Sequence, residues 1–180
     1  MADAFSSLSP NHKLEMSILE LAPSTDWPPP EAGTLDHAAL QFLLADVNGR
    51  AGVELVAMPS VTARSGEATT IEMIRELIVP TDEAGPNFET HNLGRVIKLS
   101  PEPLGLGQQA QLNYSNTTGG LDPVSLRAAV EKQEIDGSGF IREGGTRVAI
   151  ETRPDGSRTV VLTTPTLIDA TGMPLREADR

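Results

Sequence analysis

One stretch, residues 52–71, does most to limit the folds open to this chain. Gly52-Val53-Glu54-Leu55-Val56-Ala57-Met58 reads as a short apolar strand. Pro59 stops it, because proline lacks the N–H that a ladder needs. Ser60-Val61-Thr62-Ala63 starts a second strand, and Ser65-Gly66 turns the chain. From Ala68 a long, β-branched strand opens. None of these parts carries catalytic chemistry. Their order points to a molecule that acts by assembly.

The flanking segments fit the same β-rich plan. Over 13–21, Leu14, Met16 and Ile18 share one strand face, with Glu15, Ser17 and Leu19 on the other. Trp27-Pro28-Pro29-Pro30 is a stiff connector. Leu35, Ala38, Ala39, Phe42, Leu43 and Val47 form a one-sided apolar stripe at helical spacing. Thr34 or Asp36 supplies the cap and Asn48-Gly49 the stop. Over 68–79, Thr69, Ile71, Met73, Leu77 and Val79 face one way with Arg75 among them. Thr70, Glu72, Ile74 and Glu76 face the other. An acidic loop is expected at 81–88 and a strand at 93–101, broken by Pro101-Glu102-Pro103.

A further strand is expected at 109–115, then turns at 116–120 and 136–139. Asp122-Pro123 is a helix-opening pair, so a second helix is open at about 123–133. Segments 146–152 and 158–164 alternate and are joined by Pro154-Asp155-Gly156-Ser157, a hairpin signal. Residues 166–169 extend the second of these past Pro165. The fold class expected is α+β: a β-rich mixed sheet with one firm amphipathic helix (about 35–48) and that second helix. The domain plan is a flexible arm at 1–12, a single domain at 13–169 and a tail at 170–180.

Composition removes several function classes. The net charge of −11 repels phosphate backbones and anionic membrane faces, so no nucleic-acid partner is expected. With no cysteine there is no disulfide, thiolate zinc site or cysteine nucleophile. His12, His37 and His91 are far apart in sequence and lack a second ligand at helical spacing. No Gly-x-Ser-x-Gly elbow occurs. Asp169-Ala170-Thr171-Gly172 differs from an aspartic-protease loop by one inserted alanine. The expectation is therefore no catalytic residue, no cofactor, no metal and no small-molecule substrate: not an enzyme. No apolar run is long enough for a membrane-spanning helix. Met1-Ala2-Asp3-Ala4-Phe5 reads as a start placed on a trimmed mature chain, so an export signal upstream is expected.

The order of elements resembles the secretin domain, the outer-membrane channel module of type II and III secretion and type IV pilus machines. Lys13-Leu14-Glu15-Met16-Ser17-Ile18-Leu19-Glu20-Leu21 looks like its opening strand. The 35–47 helix is similar to the one preceding its Ser-x-Pro segment, and 53–61 falls on that segment, with Ala57 where serine is common. Gly66-Glu67-Ala68-Thr69-Thr70-Ile71 resembles the turn into its long strand. Asn92-Leu93-Gly94-Arg95-Val96-Ile97-Lys98-Leu99-Ser100-Pro101 is similar to its Val-Gly-x-x-Leu-x-Val-x-Pro strand. Segments 144–150 and 160–168 look like its closing pair, with Thr164-Pro165-Thr166-Leu167-Ile168 near the Thr-Pro-x-Ile ending.

The resemblance implies a non-enzymatic, exported envelope protein of a secretin-based type II secretion or type IV pilus system. Its place would be the periplasm, the outer membrane or outside the cell. Secretins carry ring domains ahead of this module, and none precedes residue 13. Only 68–79 has the length of a barrel-wall strand, and Arg75 interrupts its apolar face. A small stand-alone relative or partner is thus expected, rather than a channel subunit. Its partners would be proteins of the machine, with a homo-oligomer also open. The candidate partner-binding residues are Glu72, Arg75 and Glu76 on the long strand and Asp82 and Glu83 in the acidic loop. The alternative is a secreted adhesion or pilin-like module with an immunoglobulin-like sandwich. A helix packed on a mixed sheet favours the first, and two facing sheets without it the second.

Overall fold

The computed structural model describes residues 11–80, 87–104, 107–122, 127–142 and 144–175. The chain runs β1 (Asn11–Leu21), β2 (Gly33–Leu35), α1 (His37–Val47), β3 (Val53–Ala57), β4 (Ser60–Arg64) and β5 (Thr69–Pro80). It continues with β6 (Phe88–Leu104), β7 (Gly107–Leu121), β8 (Ala128–Arg142), β9 (Thr146–Thr152) and β10 (Arg158–Ile168). The α+β, β-rich class is as expected, and α1 is the one helix among the described residues. Two sheets form. A six-stranded sheet has the order β2-β9-β10-β1-β3, with β4 also on β1, and a four-stranded meander has the order β5-β6-β7-β8.

Strand β1 is the centre of the first sheet. It pairs along its whole length with β10, while β3 and β4 share its other side. They are two strands because Pro59 cannot donate. Its carbonyl instead accepts from the Met16 N–H at 3.0 Å. Both faces of β1 are covered. Leu14, Met16 and Ile18 face the meander, against Ile97, Leu99, Leu112, Tyr114 and Ile135. Leu19 and Leu21 face α1, with Trp27, Leu40, Val47, Val160 and Leu162. The layers are helix, short-stranded sheet, long-stranded sheet.

Asp36 caps α1 by accepting from the Ala39 N–H at 2.7 Å. The helix end is tied down by Asp46, whose carboxylate accepts from Trp27 Nε1 at 2.7 Å and from Arg50 Nη2 at 2.5 Å. Trp27 is therefore a buried anchor at the head of the proline run. The Asp155-Gly156 turn joins β9 to β10 as the sequence indicates, and β10 runs through Pro165 to Ile168.

Four expectations are overturned. Among the described residues every strand pairing is antiparallel, so neither sheet is mixed there. The second helix is not formed over 127–133. Residues from Ala128 onward are strand β8, paired to β7 from Leu121↔Ala128 to Gly107↔Arg142. The helix formers Glu131, Lys132, Gln133 and Glu134 are overridden by a partner strand that buries Gln133 and Ile135. The pair Asp122-Pro123 falls at the edge of the described residues, and 123–126 lie outside them. The expected turns at 116–120 and 136–139 lie inside β7 and β8. The glycines there serve close approach, since a Cβ on Gly137 would sit 2.7 Å from the Arg147 guanidinium and one on Gly139 would overlap it.

The fourth concerns strand length. The meander strands have 12, 17, 15 and 15 residues, all above the roughly 9–11 that a barrel wall needs. Strand β6 does not break at Pro101-Glu102-Pro103. Pairing with β5 ends at Leu99, so beyond it β6 is an open edge on that side. The Pro101 carbonyl points there, accepting from the Gly66 N–H at 2.8 Å. The nitrogen of an extended residue points the same way as its carbonyl, so the missing donor costs no ladder bond. The two facing sheets required for a sandwich are present, but the helix lies on one of them. The test set between the two readings is thus met in part by each, and the order β5-β6-β7-β8 is a simple meander.

Gly94 allows β6 to pass closely under β5. Its φ is +129°, and an added Cβ would overlap the Met73 carbonyl oxygen. Gly94→Ala is expected to cost about 3 kcal/mol, read as a lower denaturation midpoint. The Asp46 carboxyl is held below its ordinary value, first by the Arg50 hydrogen bond and then by Trp27. A lowered folded value means that its tethering is present above the unfolded pKa and is lost as pH falls through the folded one. Fluorescence of the single tryptophan is expected to change below about pH 4, and Asp46→Asn is expected to remove that acid-dependent change.

Candidate functional site: the free edges of the long sheet

The two sheets differ at their edges. In the six-stranded sheet, β2 has 3 residues, and β3 and β4 have 5 each, separated at Met58-Pro59. Such short, interrupted edges resist addition of another strand. The meander is bounded by β5 and β8, with 12 and 15 continuous residues. Among the described residues no strand pairs with the outer side of either. Each presents a row of backbone donors and acceptors to solvent.

Inter-sheet polar contacts hold these strands in place. Arg95 on β6 donates from Nη2 to Glu20 on β1 at 2.7 Å. Gln133 on β8 accepts through Oε1 from Arg153 Nε (3.1 Å) and Nη2 (2.9 Å), and from Thr159 Oγ1 (3.1 Å). Burial pushes the Tyr114 phenol above its ordinary pKa, so it stays neutral beside Arg95 at the layer boundary. Arg147 reaches from β9 across Gly137 and Gly139. Edge β8 is thereby fixed to the first sheet by side chains and needs no backbone ladder there.

The inner face of the meander is buried well beyond its middle, with Val79 and Leu93 towards one end and Ile141 towards the other each 3% exposed or less. Ile71 and Met73 pack on the core, but Arg75 of the same face is exposed. The outer face is polar at its centre. The row through Glu72 runs Val96, Ser115, Glu134, and the row through Ile74 runs Gly94, Thr117, Lys132. Towards the end where β5 leads to β6 and β7 to β8, the exposed side chains become apolar. Phe88 is 64% exposed and Ile78 57%, with Ile74, Leu121 and Val130 close behind.

Of the candidate binding residues, Glu72, Arg75 and Glu76 lie exposed on β5. Asp82 and Glu83 lie outside the described residues. The sequence reading missed the opposite edge, where Val130, Lys132 and Glu134 of β8 are equally exposed. The signal for it was the alternation of Gln133, Ile135 and Ile141 with charged neighbours, masked by a helix-forming composition. Asp169 is not poised for catalysis. Its Oδ1 accepts from the Thr171 N–H and hydroxyl and from the Met173 N–H, which lower its pKa and close its own turn. Among the described residues no three His, Asp or Glu side chains converge as a metal site would require.

This arrangement of sheets and helix is the secretin-domain fold. Superposition on the InvG secretin domain β-barrel of the Salmonella SPI-1 injectisome gives a TM-score of 0.56 at 13% identity, covering 94% of this chain and 65% of that one. The secretin of the ETEC pilotin–secretin AspS–GspD complex gives 0.56 at 13%, covering 91% and 51%. The type IV competence pilus secretin PilQ of V. cholerae gives 0.51 at 9%, covering 89% and 61%. The chain thus spans between half and two thirds of these proteins, and the likeness is one of fold. No family model matches the sequence, and no curated protein does.

Gln133→Ala removes the acceptor shared by Arg153 and Thr159. The expected loss is about 2 kcal/mol of stability, checked by urea denaturation. Faster amide exchange along β8 than along β1 is expected in the same variant.

Proposed function

We propose that the chain is a wall element of a secretin-type ring in a bacterial envelope, serving a secretion or pilus machine. It acts by pairing with copies of itself and transforms no substrate. One observation carries this reading: the meander has an even number of antiparallel strands and two long free edges. With four strands, β5 and β8 run in opposite directions. A neighbour's β5 set beside β8 therefore continues the sheet antiparallel. Repeating that contact is a heterologous association, which closes into a ring when each step turns by a fixed angle. Closure is what removes exposed edges altogether. The secretin-domain fold supports the reading independently.

The same reading assigns the membrane contact. A lipid-facing wall needs an apolar outer band. The centre of the meander's outer face carries Glu72, Lys98, Lys132 and Glu134 and stays in water. The end bearing Ile78, Phe88, Leu121 and Val130 is the part that meets lipid. The candidate residues Glu72, Arg75 and Glu76 become contacts between copies on this view.

Light scattering and electron microscopy of the full chain, with and without outer-membrane lipid vesicles, test the proposal. Rings with many times the 19.1 kDa subunit mass are expected. A strict monomer under both conditions overturns it. Ile78→Glu combined with Phe88→Glu is expected to abolish vesicle flotation while leaving the fold, read by circular dichroism, unchanged.

A further inference from the structure

The charges and apolar side chains along the two free edges select one register between neighbouring copies. We propose that β5 of one copy pairs antiparallel with β8 of the next so that Glu72 lies opposite Lys132 and Ile74 opposite Val130. The inference rests on the ring reading above and gives it a residue-level contact.

The meander itself limits the choices. Its registers place Glu72 in line with Glu134, and Ile74 in line with Lys132, across the four strands. Each of these residues faces outward. Because side chains alternate along a strand, the junction can slip only by even steps if the buried faces of both copies are to stay on the same side. Continuing the rows straight across the junction sets Glu72 against Glu134 and Ile74 against Lys132. It gains Arg75 opposite Glu131 and Ile71 opposite Ile135. A two-residue slip one way brings Glu76 opposite Lys132 and Ile78 opposite Val130, but sets Glu72 against Asp136 and Ile74 against Glu134. Like charges directly opposite each other destabilise a sheet.

A two-residue slip the other way leaves no like-charged pair face to face. Glu72 then meets Lys132, an opposite-charge pair. Ile74 and Val130, 45% and 43% exposed in the single chain, cover each other. On the inner face Arg75 lies one diagonal step from Glu131, within reach of a long side chain. A slip of four residues in the same direction sets Arg75 opposite Arg127, again like against like. Lys132 already leans on Glu134 of its own strand, 2.5 Å away. The incoming Glu72 thus completes a carboxylate–ammonium–carboxylate arrangement. Closure supplies an independent reason for a slip. A barrel requires the register to stagger around its circumference. The straight junction returns each row to the same residue in every copy, giving no stagger, and the slipped one steps it by two residues per copy.

The chain contains no cysteine, so introduced thiols are the only ones present. Three double variants of the full chain test the register after assembly: Glu72→Cys with Lys132→Cys, Glu72→Cys with Glu134→Cys, and Glu76→Cys with Lys132→Cys. In the proposed register Glu72 and Lys132 face each other with Cβ atoms about 5 Å apart, Glu72 and Glu134 lie one diagonal step apart at about 7 Å, and Glu76 and Lys132, four residues out of step, lie farther still. Disulfide bonding needs about 4 Å. The first variant is therefore expected to form about ten times more intermolecular disulfide than the other two. Rings whose preferred cross-link is either of the others overturn the register and leave the ring reading standing. Monomers in the wild-type control sink both.

Charge reversal gives a second readout that needs no covalent bond. Glu72→Lys alone and Lys132→Glu alone are each expected to weaken assembly about fivefold per interface. The combined variant is expected to recover to within about twofold of wild type. Additive losses in the combined variant overturn the Glu72–Lys132 contact.

Discussion

The structure depends on a thin aliphatic seam between the two sheets. Leu14, Met16 and Ile18 on one side meet Ile97, Leu99, Leu112 and Tyr114 on the other. With aromatics at 3% of the chain, few large rings are available to widen it. Stacked sheets lie about 10 Å apart, and this seam fills that space at the middle of the meander. Strands of 15 and 17 residues run past strands of 11. Arg75 is exposed on β5, while Val79 beyond it on the same face is buried. The overhang that results is a direct product of unequal strand lengths.

Polar contacts do a different job from the seam. Glu20–Arg95 and the Arg153–Gln133–Thr159 set sit where one sheet passes over the other. They fix orientation at a boundary where apolar packing, which has no directional preference, would let the sheets slide. Arg147, laid over two glycines of β8, belongs to the same class of contact. The outer strand of the meander is thereby held rigid while its backbone edge stays open. A floppy edge would lose that conformational freedom on pairing, and a rigid one has already lost it.

The parts of the fold legible in the sequence are those with local causes. The stripe ending at Val47, the Pro59 interruption and the Asp155-Gly156 turn each act within a few residues, and each was readable. The parts that were not legible have causes elsewhere in space. Pro101 and Pro103 look like breakers until the end of β5 leaves their side of β6 unpaired. Gly137-Ser138-Gly139 looks like a turn until Arg147 is seen to occupy the space above it. Residues Glu131–Glu134 carry helical propensity of a few tenths of a kcal/mol each, less than a full-length β7 partner provides. The candidate site was half visible for the same reason. Edge β5 announces itself by β-branched residues, whereas edge β8 becomes a strand only because β7 lies beside it.

An object with complementary reactive sides facing opposite directions behaves as a bifunctional monomer does in step-growth chemistry. Chain extension and ring closure then compete for the same ends. Closure is first order in the growing oligomer and extension is second order, so dilution favours rings and crowding favours open fibres. Curvature decides how often the two ends of one oligomer meet. If copies pair edge to edge as proposed, the long-stranded meander, backed by its covering sheet, sets both the diameter of a closed product and the subunit concentration above which linear aggregates outrun it.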